Sequence, residues 1–240
     1  MLGQVVWQST DTLTVWALSC LTVGFVGYHF SAHHPPFISF WQARFASTPP
    51  TVVEVVFQKM AGVVWMGILP LVSILGMPQI SLEKLGLSLR NLDQSLFWIG
   101  ILAPIILLVN VLNARKPDSW AMYPQMRLQA WTSSIFTLNI VCWALYLLAY
   151  EFLFRGILLQ GTLHLGLVAA IALNSSLYAL AHLPKGIKET VGAIPLGIVL
   201  SYLTWQTQTL WIAFGVHLCL ALSNDLLCLY FHPEMQWKKK

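Results

Sequence analysis

Charge is what this sequence most lacks. Asp, Glu, Lys and Arg make up 9% of the 240 residues, while 57% are hydrophobic. Soluble globular domains carry about 25% charged and 45–50% apolar residues, so water is excluded as the main solvent. The thirteen Lys and Arg form no basic run interleaved with aromatics, which excludes a nucleic-acid partner. Cysteine is scarce too. Cys20, Cys142, Cys219 and Cys228 all fall in apolar stretches and make no CxxC pair, so they read as small packing residues, not as a disulfide frame or zinc ligands. The segment Met1 to Asp11 has no Lys or Arg, so the first apolar run reads as a retained helix and not a signal peptide.

What is present is a series of long apolar runs. A crossing of a ~30 Å hydrocarbon core takes about 20 residues. Crossings are expected near 12–30, 58–76, 95–113, 133–162, 166–182, 190–206 and 208–230. Continuous runs without ten-residue alternation imply helices and exclude a β-barrel. The fold class is therefore all-α, a polytopic transmembrane helical bundle of about seven crossings. The cation count gives the orientation. With the N-terminus outside, inner loops and tail hold Arg44, Lys59, Arg115, Lys116, Arg127, Lys185, Lys188, Lys238, Lys239 and Lys240, and outer loops hold Lys84 and Arg90. His33 to Pro50 reads as an interfacial segment carrying Phe37, Phe40, Trp41 and Phe45. Asp118 to Trp131 looks similar, with Trp120, Tyr123 and Trp131 as anchors.

Ionisable groups inside apolar helices are costly, so a functional role is their default reading. They are Glu151 and Arg155 in YEFLFRG, His182 in LYALAHLPKG, Glu189 in KETVGAIPLG, and His217 with Asn224 in HLCLALSND. Glu151 and Arg155, four apart, share a helical face and can neutralise each other. At ~1.5 Å per residue from the outer turns near Leu165 and Thr207, Glu151 lies ~20 Å deep, His182 ~25 Å and Glu189 ~27 Å. His217 lies ~15 Å and Asn224 ~25 Å deep on the same scale. Four helices thus bring polar groups into one layer. Asp225, about 100° round the helix from Asn224, is the weaker candidate. The alternatives at this point are a polar clasp between helices for the set, a polar helix end near the cytoplasmic interface for Ser223-Asn224-Asp225, and a first-turn acid on the helix dipole for Glu189.

At these motifs the sequence resembles the CPBP family, which contains type II CAAX prenyl proteases (Rce1-like) and bacteriocin-processing membrane proteins. The likeness covers roughly 130–230. In that family a Glu-Glu-x-x-x-Arg motif, a Phe-x-x-x-His motif and a later His-x-x-x-Asn/Asp motif line the cavity of an intramembrane glutamic protease. They match here as Glu151 to Arg155, Tyr178 to His182, and His217. Two positions depart: Tyr150 stands where the family has its first glutamate, and Ala221 stands four after His217, with Asn224 one turn further on.

The resemblance divides the chain into N-terminal transmembrane helices with interfacial loops (1–129), a catalytic helical core (130–232) and a basic cytoplasmic tail (233–240). It implies an endopeptidase that hydrolyses a peptide bond near a membrane-associated protein terminus. Glu151, helped by Glu189, activates water with His182; Arg155 fixes the carboxylate; His217 and Asn224 stabilise the oxyanion. No cofactor or metal is implied. A zinc site from His182, His217, Glu151 and Glu189 is chemically permissible but lacks a recognised spacing. No HExxH, GxSG or YD-with-GxGD pattern of another intramembrane protease class occurs. Partners are a peptide or protein substrate and the lipid bilayer, in a bacterial cytoplasmic membrane with the N-terminus outside and the C-terminus inside. The alternative function is a catalytically inactive scaffold or chaperone for a partner membrane protein. A transporter would show inverted repeats, and none is found.

Overall fold

The computed structural model describes residues 7–77 and 79–238. Six helices are long and apolar enough to cross a membrane: α1 (Ser9–Ala32), α3 (Pro50–Gly76), α4 (Leu92–Asn113), α6 (Ser133–Leu165), α8 (Ile187–Thr207) and α9 (Trp211–Phe231). Two short helices, α2 (Pro35–Arg44) and α5 (Pro117–Met122), start on prolines, whose missing N–H costs nothing in a first turn. The protein is an all-α polytopic membrane bundle. Its outer surface is correspondingly apolar, with Phe97, Ile105 and Leu108 of α4 all exposed.

The crossing expected at 166–182 is shorter than the others. Helix α7 (Leu167–Ala181) has 15 residues, ~22 Å of helix against a ~30 Å core. Gly166 and Gly186 bracket it with φ of +101° and +86°. Only glycine adopts that backbone freely, so the chain reverses sharply at both ends. Even so, α7 carries the chain back across the bundle. Strand β1 (Ala130–Trp131), just before α6, pairs in parallel with β2 (Gln236–Trp237), just after α9. The intervening α6 to α9 must therefore make an even number of passes, and α7 supplies one of the four. At the opposite end, Leu210 N donates to Gly86 O (2.9 Å) and Asn91 Nδ2 to Thr207 O (3.2 Å), tying the 79–91 loop to the α8–α9 turn.

The main core gathers around the middle of α6, where Phe152–Leu158 is π-helical and every residue is buried. Ala17 and Leu21 of α1, Met66 of α3 and Tyr178 of α7 pack there. Such one-turn π segments inside α-helices frequently mark functional sites. Here the π turn follows directly on Glu151 and contains Arg155.

Three expectations are corrected. Helix α3 begins at Pro50, not near 58, so Lys59 is a helix residue 4% exposed and not a loop cation. Removing it leaves nine cations against two, of which Lys239 and Lys240 lie outside the described residues. Tyr123 and Trp131 are buried against protein and do not serve as headgroup anchors. Phe37, Phe40, Trp41 and Phe45 of the 33–50 segment do face outward. All four cysteines are free thiols, with Cys142 and Cys228 buried.

Candidate active site

Glu151, the last residue before the π turn, is fully buried, and each of its carboxylate oxygens is engaged. Nδ1 of His217, from α9, donates to Oε1 at 2.6 Å. Nη1 of Arg155 stands 2.9 Å from Oε2. That second approach is an ion-pair contact outside hydrogen-bonding angles. Arg155 Nε, Nη1 and Nη2 and Glu151 Oε2 have no hydrogen-bond partner among the described residues. The guanidinium instead lies over the Tyr178 ring, 4.3 Å from its centroid, a cation–π contact that offsets part of its desolvation.

Both histidines present a bare ring nitrogen. A carboxylate can only accept, so His217 uses Nδ1–H on Glu151 and, when neutral, keeps its lone pair on Nε2. His182 caps α7, and its Nδ1 donates to the backbone oxygen of Tyr178 at 2.8 Å. This fixes the same tautomer. The two rings lie 6.4 Å apart, 29° from parallel. The four-ligand zinc set does not come together, because Glu189 is held by Tyr123 and Lys185. No group of three or more His, Cys, Asp or Glu suited to a metal occurs among the described residues.

Tyr150 sits at the centre of this arrangement. Its ring is edge-on to His217 (5.6 Å), His182 (6.2 Å) and Tyr178 (5.9 Å), and it stacks obliquely on Phe154 at 4.7 Å. Its hydroxyl is buried with no hydrogen-bond partner among the described residues. Behind the cluster, Asn174 Nδ2 donates to the Phe154 carbonyl (2.6 Å) and Asn174 Oδ1 accepts from Ser201 Oγ (3.0 Å), which locks α6, α7 and α8 together.

The structure thus brings together Glu151, Arg155, His182 and His217, but not Glu189 or Asn224. Glu189 sits in the first turn of α8, where Tyr123 Oη donates to Oε1 (2.8 Å) and Lys185 Nζ lies 3.6 Å from Oε2. It has the character of a first-turn acid and makes no bond to Glu151 or either histidine. Asn224 is half-buried and has no side-chain hydrogen bond among the described residues, whereas its neighbour Asp225 is 2% exposed. Asp225 Oδ2 accepts from Asn139 Nδ2 (2.8 Å) and Trp143 Nε1 (2.7 Å).

A second polar centre continues from there. Lys59 Nζ lies 2.9 Å from the centroid of a Trp143 ring and donates to Gln125 Oε1 at 2.9 Å. Sequence reasoning misses this centre and the central placement of Tyr150. A lysine and an aspartate inside apolar helices are the signals that point to it, on the same rule that singles out Glu151.

Residues 130–223 match the family model described as type II CAAX prenyl endopeptidase, Rce1-like. The match runs from β1 into α9 and contains every member of the Glu151 cluster. No curated protein and no solved structure matches the chain.

Proposed function

From an Rce1-like segment whose buried charges converge on two bare imidazole nitrogens, we propose an intramembrane endopeptidase that hydrolyses a peptide bond of a membrane-associated polypeptide. The carrying observation is the 2.6 Å bond from His217 Nδ1 to Glu151. Hydrolysis needs a base for water, donors for the oxyanion, and an acid for the leaving amine. In this reading Glu151 acts through His217: its Oε1 accepts from Nδ1, and its Oε2 faces Arg155. It orients His217 and stabilises the imidazolium formed there, as a buried carboxylate does beneath a catalytic histidine.

His217 Nε2 takes the proton from water while the hydroxide oxygen bonds to the scissile carbon. His182 Nε2 accepts a hydrogen bond from the same water and holds it in place. The carbonyl oxygen becomes an oxyanion and accepts from the Tyr150 hydroxyl, a donor role in place of the family's glutamate. As the C–N bond breaks, the His217 proton passes to the leaving nitrogen. This assigns the oxyanion to Tyr150 instead of the expected His217–Asn224 pair, since Asn224 lies outside the cluster. Arg155 holds the charge balance of Glu151. Glu189 has no step. The cation distribution supports an N-out, C-in orientation; a bacterial cytoplasmic membrane, with the substrate reached from the lipid or cytoplasmic side, is part of the same proposal.

The test works on an unidentified substrate. A host lacking the gene is complemented with wild type, Glu151→Gln, His182→Ala or His217→Ala at matched membrane abundance, and new protein termini are quantified by mass spectrometry. Termini present with wild type and lost in all three variants support the reading; identical termini sink it. Tyr150 in place of the family's first glutamate favours the second reading, a scaffold without hydrolysis. Rescue of growth by all three variants would select that one.

A further inference from the structure

Helices α7 and α8 form between them a half-open cavity of about 540 Å³. On α7 its wall is four small residues, Ala172, Ser175, Ser176 and Ala179, together with Leu180, and Thr190, Ile194 and Ile198 face them from α8. Small residues let a second backbone approach a membrane helix closely. The floor is not purely apolar. Ser175 is 3% exposed and its Oγ has no hydrogen-bond partner among the described residues. A buried hydroxyl left alone is costly, so the position asks for a polar partner.

The cavity shares its helix with the proposed active site, although His182 itself is not part of the lining. Ser175, Ala179 and His182 follow one another at i, i+4 and i+7 along a single helix face. Thr190 on the opposite wall donates through Oγ1 to the carbonyl of His182 at 3.1 Å. We infer that this cavity binds an extended, apolar peptide segment that enters from the bilayer, with Ser175 Oγ hydrogen-bonded to its backbone and the scissile bond delivered to His182. The inference rests on the hydrolytic reading for the fate of the peptide but not for its binding. A lipid acyl chain would fill the volume yet leave the Ser175 hydroxyl without a partner.

The test uses the full chain purified into phosphatidylcholine vesicles and two probes. One is a short Ala/Leu peptide carrying a diazirine on one leucine; the other is phosphatidylcholine carrying a diazirine on an acyl chain. Peptide labelling is expected within 172–179 and 190–198. It should be lost in Ala179→Leu, which fills the floor, and about fivefold weaker in Ser175→Ala, the cost of one hydrogen bond. Should Ala179→Leu not fold, Ser176→Leu at the rim blocks the same space. Peptide labelling unchanged by these substitutions overturns the inference. So does acyl-chain labelling of the same residues that excess unlabelled peptide fails to displace. Labelling requires no turnover, so labelled protein with unchanged cellular termini keeps this site and rejects hydrolysis, whereas lost termini without labelling do the reverse.

Discussion

His217 and Glu151 stand 66 residues apart in the chain and meet at 2.6 Å in the middle of the bundle. Because Arg155 approaches the other oxygen of the same carboxylate, one glutamate joins α6 to α9 and neutralises a guanidinium that has no other anion in contact among the described residues.

Glu151→Gln therefore has two separable effects. It leaves Arg155 as an uncompensated buried charge, with an expected cost of about 3–5 kcal/mol. The double variant Glu151→Gln/Arg155→Met should regain most of that stability in detergent unfolding measurements. Turnover should stay about 10²–10⁴-fold down in both. Recovery of turnover along with stability would make the pair purely structural.

Tyr150→Phe removes a hydroxyl that has no hydrogen-bond partner among the described residues. Thermal stability should hold or rise slightly, since no bond is broken and a desolvated group is lost. Turnover should fall about 10²–10³-fold, the scale of one oxyanion donor. An active Tyr150→Phe protein would remove the hydroxyl from the mechanism.

Trp143→Phe tests the second polar centre. It takes from Asp225 one of its two donors and changes the ring beneath Lys59. A hydrogen bond to a charged group is worth about 1.5–3 kcal/mol, and a loss of stability in that range is expected. Asp225→Asn should make the Trp143→Phe change less costly, because the charge that needed the donor is gone. Strict additivity in the double-mutant cycle would show that the residues do not couple.

Gly166→Ala should cost about 1–3 kcal/mol although nothing lies within 4 Å of the added Cβ. At φ +101° and ψ 144° the penalty comes from the backbone alone. The measurement is the unfolding midpoint against that of Gly192→Ala, where the space is equally open and no positive φ is required.

Much of the site can be read from the sequence, because a charge in an apolar run must find a partner and helical spacing says where it can look. Glu151, Arg155 and the two histidines follow from that rule. Asn224 and Asp225 show its limit. Depth and angle along α9 rank Asn224 higher, but Asp225 is the buried residue because Asn139 and Trp143 of α6 offer it N–H donors. Partners on another helix leave no trace in spacing. Glu189 reaches the expected depth yet turns to Tyr123, whose loop position depends on tertiary packing. Lys59 escapes for a simpler reason: it stands at the edge of the expected 58–76 run and reads as a flanking cation, whereas α3 already begins at Pro50. Tyr150 is visible in the sequence only as a missing glutamate, and its contacts with both imidazoles require the assembled bundle.

The brevity of α7 reaches beyond the protein. Lipid next to a ~22 Å helix must compress its chains or let water down to meet the helix ends, at a cost of fractions of a kcal/mol per ångström of mismatch. His182 stands at one of those ends. A thinned annulus would bring the aqueous phase closest to the imidazole proposed to hold the water. Acyl-chain length in the host membrane then becomes a determinant of how readily water and polar termini arrive there.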